Sequence, residues 1–244
     1  MAIEFVSLWS IVYDVLNIIR GSEVTQSESI SDRQIENWIH QYRALLIKQD
    51  LDKGKMVNPD YVQEIQCMKL VVVDKSEDST VLTDRQLVRS ELKIPKSIDL
   101  NFRPGLTYVG TMDGKEIQFV PQTRVRWQKE KYYTASEPLS YLKNGYLYVD
   151  NDHVIEYISV RGIFELPPEV GNFINPYTNI PEYTLDSKYP IPINMLPTLK
   201  EMILRKELNI MTNSATDVKN DSFDNTLKTN QGSRENATGA NKDN

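Results

Sequence analysis

The sequence has almost none of the side chains that soft metal ions and disulfides require. It contains one cysteine, Cys67, and two histidines among 244 residues. One cysteine cannot form an internal disulfide, and three such side chains leave few ligands for a zinc site. Cys67 stands among apolar residues, so we expect it to be a small core side chain. The sequence therefore predicts neither a metal site nor a cofactor.

Sequence patterns typical of enzymes are missing as well. No glycine-rich phosphate-binding loop occurs, because the internal glycines suit hairpin turns: Gly110, Gly114 and Gly145. His40 and His153 have no serine, cysteine or acid in a triad-like context. Asp150–His153 is rich in oxygen ligands, but no glutamate closes a calcium loop at the required distance, which favours a turn. We predict no catalytic residue and expect a protein that is not an enzyme.

An excess of positive charge is also lacking. The chain has 28 lysines and arginines against 34 acidic residues, a net charge of -6. Proteins that wrap nucleic acid usually carry a basic excess that neutralises phosphates. The densest basic strip, Arg124, Arg126, Lys129 and Lys131, surrounds Trp127. Nucleic-acid contact is one interpretation of this strip, but a solvated strand edge or a face that meets an acidic partner is favoured.

The chain has no apolar run long enough to cross a membrane. Its most apolar stretch, Phe5–Ile19, has about 15 residues where roughly 20 are needed, and Asp14 interrupts it. Glu4 precedes the stretch, where a secretory signal carries positive charge. This pattern favours a buried helix over a membrane-touching one, and we expect no membrane partner.

The first helix is apolar around nearly its whole circumference. A helix of this kind must be covered on every side, so we expect a neighbouring subunit to cover what the chain itself leaves open. The predicted interface residues come from this helix and from the basic strip: Phe5, Trp9, Val12, Leu16, Arg124, Arg126 and Trp127.

A second helix has clear start and stop signals. Ser31 suits the N-cap, with Asp32 in the first turn and Gln34 three residues after the cap. Apolar residues then recur close to the helical period, and the helix is predicted to end near Lys53–Gly54.

The middle of the chain consists of short β-like runs. The predicted strands are Ile65–Val73, Gln86–Ile94, Thr107–Met112, Glu116–Val120, Thr123–Trp127, Tyr146–Val149 and His153–Val160. Asp113–Gly114 and Asn144–Gly145 suit tight turns. Short strands with tight turns, and with helices at both ends, predict an α+β fold with an antiparallel sheet.

The last third of the sequence divides into a proline-rich segment, a predicted helix and a polar tail. Seven prolines between Leu166 and Pro197 force an extended path, and the interleaved aromatic residues indicate that it packs along a surface. A third helix is predicted over Met195–Met211, followed by a polar tail that cannot bury enough area to fold alone. The predicted organisation is a helical region 1–60, an antiparallel β domain 61–165, a proline-rich crossing with a helix 166–211, and an extended polar tail 212–244.

Several segments carry a resemblance to a known group. The stretch Ile30–Gln49, ending at Lys53–Gly54, resembles the N-terminal region of neck and tail structural proteins of crAss-like Bacteroides phages. The β-rich middle, the Leu204–Leu208 helix (Leu-Arg-Lys-Glu-Leu) and the segment Asp217–Asp221 fit the same picture. The resemblance covers most of the chain, but it assigns no individual binding residue.

This resemblance implies a ring or adaptor in the head-to-tail connector below the portal, present in about twelve copies. The implied partners are further copies of the chain, the portal protein, other neck and tail proteins, and passing double-stranded DNA without sequence specificity. The protein would reside in the virion after assembly in the host cytoplasm. Neighbouring subunits in a ring would complete both the apolar first helix and the polar tail.

Two alternatives remain. One is a different component of the same particle, a tail hub or a cargo protein. The other is a cell-wall hydrolase, which needs a pair of carboxylates in a cleft. Glu156 and Glu165 are the nearest candidates, although both stand in ordinary strand and loop contexts.

Overall fold

A computed structural model describes residues 6–21, 30–73, 87–101, 105–129, 137–150 and 155–208. The helices in these ranges are α1 (Leu8–Gly21), α2 (Asp32–Asp52), α3 (Gln122–Lys129) and α4 (Leu196–Ile203). The strands are β1 (Gln63–Val72), β2 (Leu87–Ser90), β3 (Leu106–Thr111), β4 (Gln118–Phe119), β5 (Leu139–Lys143), β6 (Tyr146–Asp150) and β7 (Tyr157–Gly162). The chain forms two units, Met1–Leu199 and Lys200–Asn244. In the second unit an Arg205–Glu201 ion pair joins successive helical turns at 2.9 Å.

The seven strands form one sheet in the order β3-β7-β1-β2-β6-β5-β4. All neighbouring pairs run antiparallel except β4 and β5, which are parallel over two residues. The Ile117 N–H donates to the Val109 carbonyl at 2.8 Å, just before β4 joins β5. The chain at β4 therefore bonds to β5, its neighbour in the strand order, and also to β3 at the opposite end of that order, so the sheet closes on itself. The α+β prediction is confirmed, with one short parallel pair added.

The main apolar core lies on the inner face of this closed sheet. Alternating residues of the strands fill it, together with side chains from the proline-rich crossing: Ile65, Met68, Leu70, Val88, Val109, Leu147, Val149, Ile158, Val160, Phe164, Val170 and Phe173. A second cluster joins α2 to the sheet, with Ile47 and Leu51 packed against Tyr61, Ile98 and Ile163. The proline-rich crossing therefore packs along the sheet, as the interleaved aromatic residues predicted.

Helix α2 confirms its predicted start and stop. The Ser31 side chain accepts a hydrogen bond from the Gln34 N–H at 3.3 Å. The helix ends at Asp52, and Gly54 adopts a φ of 79°, which glycine tolerates without strain. The first helix begins at Leu8, and Phe5 lies outside the described residues.

The predicted strand Thr123–Trp127 is wrong, because these residues belong to α3. Pro121 ends the extended segment, and its carbonyl accepts the Arg124 N–H at 2.8 Å in the first helical turn. The strand that pairs with β6 in the sheet is β5, which the sequence did not predict. Alternation over five residues is too short to exclude a helical turn, so the sheet partner decided the outcome.

Two further elements have other bounds in the structure than the sequence predicted. The strand expected over Glu116–Val120 shrinks to β4. The helix expected over Met195–Met211 divides into α4 and a wider helical turn at Leu204–Leu208. His153 and the polar tail 212–244 lie outside the described residues.

A buried arginine joins three separate parts of the first unit. Arg43 on α2 is fully buried and donates through Nε to the Pro190 carbonyl and through Nη1 to the Phe164 carbonyl, both at 2.8 Å. Its guanidinium lies 5.6 Å from the centre of the Tyr189 ring. Burial lowers the pKa of Arg43, and the nearby Tyr189 and Tyr183 side chains only partly oppose this effect. Arg43 thus fixes α2 to the end of the sheet and to the proline-rich crossing.

Replacing Arg43 by alanine should destabilise the fold by about 3 kcal/mol, because two buried carbonyls lose their donor and a cavity opens. Urea unfolding followed by tryptophan fluorescence measures this change. Arg33→Ala, at an exposed position of the same helix, is the matched control and should change stability by less than about 0.5 kcal/mol. Equal stability of the two variants would contradict the role given to Arg43.

His40 neighbours this junction and should make stability depend on pH. Its Nδ1 lies 2.9 Å from the Tyr189 hydroxyl, and burial together with the Arg43 charge lowers its pKa from 6.5 to about 4. Between pH 6.5 and pH 4 the His40 imidazole is therefore protonated in the unfolded chain and neutral in the folded chain. The free energy of unfolding falls as the pH drops through this range, because the unfolded chain binds the extra proton. We expect a loss of about 3 kcal/mol from this group. In His40→Gln the unfolding free energy should decline less between pH 7 and pH 4, and an unchanged slope would contradict this assignment.

Candidate assembly surfaces and an acidic cavity

Helix α1 presents one face to the chain itself and another to solvent. The inner face packs on α2 and includes Val12 and Leu16, both buried. Trp9 and Tyr13, one helical turn apart, remain 42% and 62% exposed. The expectation that a neighbouring subunit covers this helix is thus narrowed to the Trp9–Tyr13 side, since the chain itself covers Val12 and Leu16.

Helix α3 carries the basic strip on a different surface. Val125 packs inward against the outer face of the sheet, where the Tyr141 and Tyr148 rings stack at 5.4 Å. Arg124 is exposed, and Trp127, three residues later, is 69% exposed. The backbone of Arg126 lies in the same helix, whereas Lys131 falls outside the described residues. The strip is therefore a helical surface and not a strand edge.

The sheet adds further basic and aromatic side chains beside α3. Arg89 and Lys93 lie over the Tyr146 ring, at 4.6 and 5.8 Å, and Lys143 lies 5.9 Å from the Tyr148 ring centre. We call the surface formed by Arg89, Lys93, Lys143, Tyr146, Arg124 and Trp127 the basic–aromatic face. Arginine and aromatic residues are enriched at protein interfaces, where each buries a large area. Sequence reasoning missed the sheet residues because they lie far from the strip along the chain.

A loop of the proline-rich crossing exposes a second apolar surface. A single β-bridge between Ile174 and Pro181 closes the loop. Ile174, Tyr177 and Ile180 on it are 55%, 76% and 59% exposed. Several large apolar side chains exposed together indicate a contact surface more strongly than isolated ones do.

The first unit also contains an acidic cavity of about 260 Å³. Its lining combines the turn at Pro59–Tyr61, the start of β1 and the proline-rich crossing: Pro59, Asp60, Val62, Gln63, Glu64, Val170, Glu182, Tyr183, Ser187, Lys188 and Pro190. Lys188 pairs with Asp60 at 2.6 Å, and Arg161 pairs with Glu64 at 2.9 Å. No sequence pattern pointed to this cavity, because its lining comes from segments more than 100 residues apart.

A β-bulge in β1 holds one of the cavity's acids. The register between β1 and β7 shifts between Ile65 and Met68, which leaves one extra residue in β1. The backbone N–H groups of Gln66 and Cys67, in this bulge, donate to the Glu182 carboxylate. Burial nevertheless raises the pKa of Glu182, and the two backbone hydrogen bonds only partly oppose this effect.

The residues considered for chemistry lie apart from one another. His40 bonds Tyr189, Cys67 is a buried side chain of β1, and Glu165 pairs with Lys96 at 3.0 Å, while Glu156 is exposed. Within the described ranges, no three His, Cys, Asp or Glu side chains are grouped so that they could hold a metal ion. None of the helices in the described part of the chain combines the length and apolar character needed to cross a membrane.

Exposed aromatic, basic and apolar surfaces on a well-packed α+β chain are the features of a structural protein that works by assembly. Comparison with known families supports this class. A family model described as phage tail ring protein 2, CrAss_Ring_2, matches residues 10–226. The chain belongs to this family and is a crAss-like phage tail ring protein, a structural component of the virion. A comparison with curated proteins finds no match.

The division of α1 into a buried and an open side is testable by a pair of variants. Leu16→Ala should lower the unfolding free energy by about 3 kcal/mol, because it empties a buried position in the α1–α2 contact. Tyr13→Ala on the open side should change it by less than about 0.5 kcal/mol. Thermal unfolding of both variants measures the difference, and equal losses would show that the chain itself buries both sides.

Proposed function

We propose that this protein forms a ring in the head-to-tail connector below the portal, where it joins the tail to the capsid and surrounds the genome path. Membership of the tail ring family carries the proposal. A closed ring needs two different surfaces on each subunit that complement each other when copies repeat around an axis. The Trp9–Tyr13 side of α1, the basic–aromatic face and the Ile174–Pro181 loop are candidates for these surfaces and for contacts with the portal and other neck and tail proteins.

The charge of the chain suits the genome path. A net charge of -6 repels the DNA polyanion, so the DNA can pass without adhering to the channel wall. Four basic side chains, Arg89, Lys93, Lys143 and Arg124, lie on the basic–aromatic face, where they would serve contacts between proteins. Contact with DNA is then weak and independent of sequence. We propose about twelve copies per ring, assembled in the host cytoplasm and retained in the virion.

Light scattering of the purified chain, alone and mixed with its portal protein, tests this proposal. We expect a mass many times the 28.2 kDa of one chain, and ring-shaped projections in electron micrographs. Trp127→Ala should weaken assembly by about tenfold without lowering the melting temperature, because Trp127 is exposed in the single chain. Met56→Ala is the matched control, since Met56 is 90% exposed between α2 and β1 and belongs to none of the candidate surfaces.

The same measurement separates the alternatives. A chain that stays monomeric and has no affinity for the portal would contradict a connector ring. A complex with other tail proteins but without ring-shaped projections would instead support a tail hub or cargo role.

A further inference from the structure

The acidic cavity contains polar atoms that lack a partner. Gln63 Oε1, Glu182 Oε1 and Tyr183 Oη are buried and have no hydrogen-bond partner among the described residues. All three side chains line the cavity, and Gln63 and Tyr183 are more than nine-tenths buried. Buried polar groups are nearly always paired in folded proteins, so three unpaired ones around one cavity indicate a missing occupant.

The chemistry of these atoms indicates what the occupant offers. Two of them, an amide oxygen and a carboxylate oxygen, only accept hydrogen bonds, and the third is a hydroxyl that can also accept. Asp60 and Glu64 add negative charge, although each already has one cation, Lys188 and Arg161 respectively. Glu182 has no cationic partner among the described residues. We therefore expect the cavity to bind a positively charged group with several N–H donors, and a guanidinium has both properties.

We propose that this cavity receives an arginine side chain from a second copy of the chain, and that Arg124 is that arginine. Arg124 is exposed, and it makes no ion pair with any described residue. It lies three residues from the exposed Trp127, an arrangement of arginine and aromatic that is common where interfaces concentrate their binding energy. The basic–aromatic face of one copy and the acidic cavity of the next would then be the two complementary surfaces of a head-to-tail contact. This inference rests on the ring proposed above.

A small probe tests the cavity without any assembly. N-acetyl-arginine methylamide, titrated into the chain and followed by NMR of the Gln63 side-chain amide, should bind saturably. The citrulline analogue has the same shape without the charge and should bind at least about tenfold more weakly. Glu182→Gln should abolish arginine binding while its amide oxygen still accepts the Gln66 and Cys67 N–H groups. Absence of saturable arginine binding, or equal binding of citrulline, would overturn the proposal.

A matched control isolates the position of the charge. Glu116→Gln removes the same charge from an exposed residue outside the cavity and should leave probe binding unchanged. Where Glu182→Gln lowers the melting temperature, Tyr183→Phe carries the same test, because it removes only the unpaired hydroxyl. Unaltered binding in Tyr183→Phe and in a folded Glu182→Gln would overturn the site.

A double-mutant cycle on the assembled chain then tests the donor. Glu182→Gln and Arg124→Gln should each weaken assembly by about tenfold, and the double variant should be no weaker than either single one. Additive losses would overturn the pairing of these two residues. If the wild-type chain forms no assembly, the proposed ring and the second-copy occupant both fail. If the wild type assembles and Glu182→Gln assembles equally well, only the cavity's role is overturned.

Discussion

The buried guanidinium of Arg43 is the contact on which the first unit most depends. The proline-rich crossing has few ladder hydrogen bonds of its own, since proline lacks the N–H group that a ladder needs. Arg43 supplies donors from α2 to this crossing and to the end of the sheet at Phe164. A guanidinium suits this place because its donors are held in a fixed fork and it stays charged at neutral pH. The Tyr189 ring covers the cation, and the Tyr189 hydroxyl meets His40.

Irregular backbone creates the features that regular elements do not offer. The β-bulge in β1 releases two N–H groups from the ladder, and they turn to the Glu182 carboxylate of the crossing. The prolines that prevent a regular strand in the crossing also leave the Ile174–Pro181 loop projecting with its apolar side chains exposed. Both candidate contacts therefore follow from the same constraint, a chain segment that must pack on a sheet without joining it.

Local signals predicted the elements that local chemistry decides. Ser31 and Gln34 close the start of α2 within one turn, and Asn144–Gly145 forms a tight turn directly before β6, so both could be predicted. The α+β class followed from such elements in order. The strand predicted at Thr123–Trp127 failed because five alternating residues fit either a strand or a short helix, and only the position of β5 beside β6 decides between them.

The candidate surfaces divide in the same way. The α+β class, the second helix, the clustering of basic residues around Trp127 and the family resemblance that the comparison confirms could all be predicted without coordinates. The folded chain was needed to show which side of α1 stays open, which sheet residues lie beside the basic strip, and that Glu182 and Gln63 line one cavity. The physical reason is that burial and charge pairing depend on neighbours in space, and those neighbours are distant in the chain, as Gln63 and Glu182 are.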